Sequence, residues 1–361
     1  MPKGSASFSI WWTRYTVSEA FWSRSQDQHR RAVSRIRCLD GIETSKAVMA
    51  KIITVTINPA VDVSTSVDRV EPVLKLRCRT ERREPGGGGI NVARVISRLG
   101  GDVLAVYAAG GVIGRLLSEL VETEGVAAHA VEIAGVTRES FTVVDETTRD
   151  EFRFVLPGPE LSESEWRGCL EQVEKIAGSQ GYIIASGSLA VGVPDDFYAR
   201  LAHLARKADC RFIVDAAGST LKAALEAGVY LAKPNLRELQ DMLGESLAGR
   251  SSQVSACRRL VGQGSAEIVA LSLGSSGALV VTKDRAWFSE PLRVNVLSSV
   301  GAGDSFLGAM VWSLSSGRGV EEALRYAVAA GSAALLAPGT QLCDPADVVR
   351  MASDVQLSLV G

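Results

Sequence analysis

Apolar and polar positions fall into alternating blocks along most of the chain. Residues 51–57, Lys-Ile-Ile-Thr-Val-Thr-Ile, make an apolar run of strand length, and residues 90–99 follow with helical spacing. Residues 103–108 then read as a strand and 114–124 as a helix. Further strands are predicted at 181–185, 211–215, 230–233, 268–273 and 277–282, most of them separated by helical stretches. Ser162 and Glu165, and again Asn235 and Glu238, have the spacing of a capping box at a helix start. Such a βαβα order predicts an α/β fold, a mainly parallel sheet covered by helices on both faces.

Two stretches break the alternation. Residues 63–83 are charged and strand-like, and residues 140–156 read as a hairpin turning at 146–150. Together they predict a small β-lid over the sheet edge, able to keep water from a reacting group. Residues 1–48 carry Trp11-Trp12, many serines and arginines and no sustained periodicity, and are expected to form a disordered extension outside a domain spanning 49–361. Arg30, Arg31, Arg35 and Arg37 suggest a presequence, which Glu19, Asp27, Asp40 and Glu43 argue against; translation beginning at Met49 is the favoured expectation.

Composition narrows the function. With 361 residues and 46% hydrophobic positions, the chain can bury a sizeable core. A formal charge of -2 without like-charge blocks argues against nucleic acid or a membrane surface as partner, and the longest apolar helical run, 327–337, is too short to cross a bilayer. The six cysteines are scattered without metal-ligand pairs, and the three histidines stand away from acid clusters. A reduced, cytoplasmic chain acting on small molecules fits these features, whereas zinc chemistry and a serine–histidine triad lack their parts.

The candidate chemistry lies at four turns. In Val296-Leu-Ser-Ser-Val-Gly-Ala-Gly-Asp-Ser-Phe-Leu-Gly-Ala-Met310, Gly301, Ala302 and Gly303 lead into a helix. The amides of its first turn can hold phosphate oxygens, and Asp304 beside them suits a general base; the alternative is a helix cap. The run Glu84-Pro-Gly-Gly-Gly-Gly-Ile-Asn-Val-Ala-Arg94 brings bare backbone near a ligand, with Asn91 able to donate to and accept from sugar hydroxyls. Arg79 to Arg83 precede it instead of an apolar strand, so it is not a dinucleotide fingerprint, though it could be a packing turn. Asp62, just beyond the first strand, could accept sugar hydroxyl protons or be a plain loop acid. Lys233, Asn235 and Glu238 converge on another strand end, a set suited to nucleotide phosphates and hydrated magnesium, although a capping box also explains the last two.

In this order these motifs resemble the ribokinase-like sugar kinases of the PfkB family, over about residue 51 to the end. Gly86-Gly-Gly-Gly-Ile-Asn-Val-Ala-Arg94, preceded by Lys75-Leu-Arg-Cys78, looks like the family's minor 6-phosphofructokinase branch, while fructose-1-phosphate kinases usually carry lysine where this chain has Gly88. The resemblance implies a three-layer sandwich with a β-lid, ATP and magnesium as cofactors, and a homodimer formed through the lid. It implies that Asp304 is the base, with the amides of Gly301, Ala302 and Gly303 stabilising charge. Asp62, Gly87, Gly88 and Asn91 would hold the sugar, and Lys75, Arg77, Arg138 and Ser188 its phosphate. Lys233, Asn235, Ser272, Gly274 and Gly277 would line the ATP site, with Glu238 serving the metal. Two departures stand out. Leu189-Ala-Val-Gly192 replaces Leu-Pro-Pro-Gly, predicting a looser turn beside Ser188, and Gln341 stands where relatives often have arginine, near a loop implied to bind potassium.

The expected reaction is ATP-dependent phosphorylation of the C1 hydroxyl of fructose 6-phosphate to fructose 1,6-bisphosphate. Tagatose 6-phosphate or fructose 1-phosphate is the competing substrate. A nucleotide-binding sensor without catalysis is the competing class.

Overall fold

Residues 52–56 are buried throughout, as a central strand covered on two faces must be. The computed structural model describes residues 51–361, and the expected extension over 1–48 lies outside the described residues. The chain runs through β1 (Ile52–Thr56), β2 (Ala60–Val67), β3 (Arg82–Gly86), α1 (Gly88–Arg98), β4 (Val103–Ala109), α2 (Gly111–Thr123), β5 (Ala127–Glu132), β6 (Arg138–Asp145) and β7 (Glu151–Val155). It continues with α3 (Glu163–Ile176), β8 (Tyr182–Ser186), α4 (Phe197–Lys207), β9 (Arg211–Asp215), α5 (Gly218–Ala227), β10 (Val229–Ala232), α6 (Leu236–Leu243) and α7 (Arg250–Gly262). The last part holds β11 (Ala266–Ser272), β12 (Ala278–Val281), β13 (Ala286–Ser289), α8 (Ala302–Ser315), α9 (Val320–Ala334), α10 (Pro345–Ala352) and β14 (Leu357–Leu359).

Ten strands form one sheet in the order β14-β13-β12-β11-β10-β9-β8-β1-β4-β5. The seven from β11 to β5 are parallel, and β12, β13 and β14 add an antiparallel edge. Alternation decides what each face meets. Ile53, Val55 and Ile57 point into one core with Trp166, Phe197, Leu221 and Val254 of α3, α4, α5 and α7, while α1, α8, α9 and α10 pack on one another across the other face. This is the three-layer ribokinase-like arrangement. The sequence pattern did not predict β5, β13 or the antiparallel edge: β5 reads Ala-Ala-His-Ala-Val-Glu, too polar to show as a strand, and β13 is four residues long.

A second sheet of four strands, β3-β2-β6-β7, forms the lid. The hairpin expected over 140–156 is β6 and β7, with Ser140 opposite Val155 and the Asp145 amide bonded to the Asp150 carbonyl at 3.0 Å. The segment expected to be strand-like over 63–83 is strand only at its ends, and residues 68–81 are without strand. Asp62, read as lying just beyond the first strand, lies on lid strand β2, paired with Glu84 of β3 and Ser140 of β6.

Candidate active site

The carboxyl ends of β1, β8 and β9 and the amino ends of α1 and α8 meet the lid around a cavity of about 530 Å³. Open parallel sheets bind ligands at this end of their strands. Of the sequence-predicted residues, Asp62, Gly87, Gly88, Asn91, Arg138, Ser188, Glu238, Gly301, Gly303 and Asp304 line it.

Gly301 caps α8 in the left-handed region, φ 75°, a conformation that favours glycine. Its carbonyl accepts the Ser305 amide at 2.8 Å, so the amides of Ala302, Gly303 and Asp304 are first-turn donors at the positive end of a 14-residue helix. Ala302 contributes through backbone alone. Asp304 accepts a 2.9 Å hydrogen bond from the Asn91 side-chain amide. Burial and the Asp215 carboxylate push its pKa up to about 6, against the Asn91 donor, Lys233 and Arg94. At neutral pH it is ionised and able to take a proton.

The glycine run at 86–89 is demanded by close packing. A Cβ on Gly88 would sit 2.2 Å from the Ser186 Oγ, and one on Gly89 would sit 2.6 Å from the Val55 carbonyl oxygen. The start of α1 thus lies directly on the ends of β1 and β8, which sets Asn91 beside Asp304.

The lid supplies the opposite wall. Arg138 is fixed by backbone carbonyls of Asn58 at 3.0 Å, Leu156 at 3.1 Å and Pro59 at 3.4 Å. Burial lowers its pKa and the facing Asp62 raises it. Burial pushes the Asp62 carboxyl up to about 6, opposed by Arg153, Arg138 and Arg94. Ser188 follows β8, its hydroxyl accepting from the Asn58 side chain at 3.4 Å. The turn after it holds without the two prolines: the Asn58 side chain bonds the Leu189 carbonyl at 3.2 Å, and the Leu161 amide bonds that of Val191 at 2.8 Å.

Beyond Asp304 lies the set expected for nucleotide. Lys233, buried past the end of β10, pairs with Asp215 at 3.0 Å. Burial would lower its pKa, but Asp215, Asp304 and Glu238 outweigh that and raise it. Asn235 and Glu238 form the predicted capping box, with bonds of 2.9 and 2.8 Å. A backbone bridge joins Asn235 to Ser272 at the end of β11. Gly274 begins the short 3-10 turn that follows, and Gly277 ends it where a Cβ would meet the Ser289 carbonyl at 2.0 Å. Lys233, Asn235, Ser272, Gly274, Gly277 and Ala302 are not among the cavity's lining.

No cluster of three or more metal-ligating side chains occurs among the described residues. Magnesium fits the donors here nonetheless, since it is commonly held by one or two carboxylates, waters and substrate phosphates. Glu238 lines the cavity and spends one carboxylate oxygen on the Asn235 amide.

Lys75 and Arg77 stand apart from the other residues that the resemblance implied around the sugar phosphate. They lie exposed in the strandless 68–81 segment and do not line this chain's cavity. Conversely, Arg153, Asp215 and Arg94 were not singled out. Arg153 could have been found by alternation: in Glu-Phe-Arg-Phe-Val it shares a face of β7 with Val155, which also lines the cavity.

A larger cavity, about 720 Å³, opens at the amino ends of β9 and β10. There Arg206 and Arg211 are balanced by Asp209 and Glu267, and Arg211 already bonds the Tyr182 hydroxyl at 2.6 Å while lying over the Tyr230 ring. That charge balance does not suit a phosphate.

The chain is 43% identical over 300 residues to an ATP-dependent 6-phosphofructokinase isozyme 2 of Mycobacterium tuberculosis, covering 83% of this chain and 88% of that one. To the Escherichia coli isozyme 2 it is 40% identical over 304 residues, 84% of this chain and 98% of the other. The solved phosphofructokinase-2 of Escherichia coli superposes with a TM-score of 0.82 in its potassium complex and 0.81 in its fructose-6-phosphate complex, covering 85% of this chain and 99% of that one at 40% and 39% identity. Residues 49–347 match the model of the pfkB family carbohydrate kinases. With that match added to the sheet, the lid and the Asp304 turn, the chain belongs to the pfkB family of carbohydrate kinases.

Proposed function

We propose that this kinase is an ATP-dependent 6-phosphofructokinase, transferring the γ-phosphoryl group to the C1 hydroxyl of fructose 6-phosphate. The observation that carries this reading is the position of Asp304, between a lid wall bearing Asp62, Arg138 and Arg153 and a strand-end wall bearing Asp215 and Glu238, with Lys233 buried behind it on Asp215. Arg138 and Arg153 hold the 6-phosphate, Asp62 and Asn91 accept and donate to the sugar hydroxyls, and Ser188 adds a hydroxyl to the phosphate. Asp304 takes the C1 proton as that oxygen bonds to phosphorus, and the leaving oxygen departs with ADP. The amides of Gly301, Ala302 and Gly303 meet the charge on the phosphoryl oxygens, and Lys233 adds a fixed cation. Lys233, Asn235, Ser272, Gly274 and Gly277 bind ATP. Magnesium, held at Glu238, supplies charge neutralisation on the phosphates.

Named relatives acting on fructose 6-phosphate support this substrate over tagatose 6-phosphate or fructose 1-phosphate. Packing adds to it: Gly88, where fructose-1-phosphate kinases usually carry lysine, has no room for a Cβ beside Ser186. The catalytic parts being together argues against a sensor.

The active form is a homodimer through the lid. Supporting this, Phe154, Val155 and Leu156 at the end of β7 and Val73 and Leu74 of the lid segment are exposed apolar side chains. Such pairing gives Lys75 and Arg77 a route to the sugar phosphate in the neighbouring copy. Potassium binds the 339–343 loop. The enzyme works in the cytoplasm, in keeping with the absence among the described residues of a helix long and apolar enough to cross a membrane.

Comparing kcat/KM for the three sugar phosphates with saturating ATP tests the reading. Preference for fructose 6-phosphate is expected. Preference for either rival overturns the substrate, and no ADP formation with any of them, despite ATP binding, favours the sensor.

A further inference from the structure

Behind the cavity wall lies a buried ionic network that the proposed chemistry does not use. Arg94 of α1 is fully buried, with no exposed surface. It donates to the Glu124 carboxylate at 2.8 Å, the Pro85 carbonyl at 3.1 Å, the Asn91 side-chain oxygen at 3.2 Å and Glu84 at 3.5 Å. Glu84 in turn accepts from the Thr340 hydroxyl at 2.6 Å. Burying a charge this completely is costly unless it is paired and hydrogen-bonded, as the two terminal nitrogens of Arg94 are.

We infer that Arg94 is a positioning residue, which fixes the side-chain orientation of Asn91 so that its amide nitrogen, and not its oxygen, faces Asp304. The inference rests on Asp304 being the base. A guanidinium donates and never accepts, so the Asn91 carbonyl must turn towards it. The nitrogen then points the other way, where it donates to the Asp304 carboxylate at 2.9 Å. Rotating the amide by half a turn would set its oxygen against the Asp304 carboxylate and its nitrogen against the Arg94 guanidinium. Both contacts would be repulsive.

The consequence falls on the base. The groups facing Asp304 are Asp215 from β9, Lys233 past β10, Asp62 from β2, and Asn91 and Arg94 from α1. Asp215 and Asp62 oppose its ionised form, and the charges of Lys233 and Arg94 support it. Of the supporting contacts, the Asn91 amide alone makes a hydrogen bond to the carboxylate among those found for the described residues. Losing it leaves the base more basic, less well aimed and protonated over a wider pH range. Because Glu84 lies on β3 of the lid, and Thr340 precedes α10, the same arginine also ties that orientation to the seating of the lid strand.

The test compares Arg94→Gln with Arg94→Lys in the full-length enzyme. Glutamine can accept as well as donate, so it no longer dictates how Asn91 turns; lysine, like arginine, only donates. For Arg94→Gln, kcat falls about tenfold, the size of one hydrogen bond to a charged group, and the acid limb of the kcat–pH profile moves to higher pH. Arg94→Lys restores the limb to its original position even if thermal stability stays lowered. In an Asn91→Ala background, Arg94→Gln moves the limb no further. Where Arg94→Gln alone does not fold, Arg94→Gln with Glu84→Gln neutralises the buried carboxylate that has lost its cation, Glu124 keeping Arg98, and carries the same measurement. An unmoved limb in the glutamine variant, an equal shift in the lysine variant, or a further shift when Arg94→Gln is added to Asn91→Ala, which is what the arginine's charge acting directly on Asp304 would give, overturns the proposal. A wild-type enzyme that Asp304→Asn leaves active removes the base reading itself, so the two failures are distinguishable.

Discussion

Replacing Asp304 by asparagine should make the enzyme slower and more stable at once. The carboxylate is lifted from 3.8 to about 6 in the folded chain, by burial first and Asp215 second. A folded-state pKa above the unfolded value means that the native state binds the proton more tightly, so for an acid stability falls as pH rises between these two values. Below about 4 the penalty is absent, and above about 6 it is complete. A shift of that size corresponds to about 3 kcal/mol, and because one side of the carboxylate opens to the cavity, about 1–3 kcal/mol is expected. The substituted amide keeps an oxygen to accept from Asn91 and carries no charge to desolvate. Asp304→Asn should therefore raise the urea midpoint of the ligand-free protein at pH 7.5, and the gain should vanish at pH 4. In steady-state assays kcat should fall roughly 100- to 10,000-fold, the contribution of a general base, while the KM for sugar phosphate changes little. Near-normal kcat would refute the base assignment. A loss of stability at pH 7.5, or an equal gain at both pH values, would refute the desolvation argument.

Asp62 and Asp304 are both displaced to about 6, so kcat at saturating substrates should fall below that pH as the two carboxylates take up protons; a flat profile between pH 5 and 7 would contradict this. Arg153→Ala should raise the sugar-phosphate KM roughly 10- to 100-fold, as expected for a charged hydrogen bond, with kcat within a few-fold, measured by varying sugar phosphate at saturating ATP. Gly89→Ala places a Cβ 2.5 Å from the Thr56 Oγ1 and 2.6 Å from a backbone oxygen; it should cost about 1–3 kcal/mol of stability, read as a lowered urea midpoint.

What the sequence disclosed was local, and what it hid was pairing across the fold. The strand at β1, the glycine run, the Asn235–Glu238 cap and the Asp304 turn each announce themselves within a few residues, because periodicity and capping are short-range effects. Arg94 sits 30 residues from Glu124 and its neighbour Asn91 lies 213 from Asp304, so their roles exist only once α1 is laid on the strand ends. Asp215 ends an ordinary buried strand and acquires meaning through Lys233. Lys75 and Arg77, implied by the resemblance to meet the sugar phosphate, lie exposed on the segment between β2 and β3, outside the cavity of their own copy. The antiparallel edge was hidden because short strands such as β13 and β14, four and three residues long, leave too little pattern to set direction.

The central claim is that Asp304 deprotonates the C1 hydroxyl of fructose 6-phosphate held against the lid arginines. The most direct measurement offers the enzyme ATP with equimolar fructose 6-phosphate, tagatose 6-phosphate and fructose 1-phosphate, and identifies the products by phosphorus NMR. The account predicts fructose 1,6-bisphosphate formed at the expense of fructose 6-phosphate, with its new ester at C1. Preferential consumption of tagatose 6-phosphate or fructose 1-phosphate would contradict it.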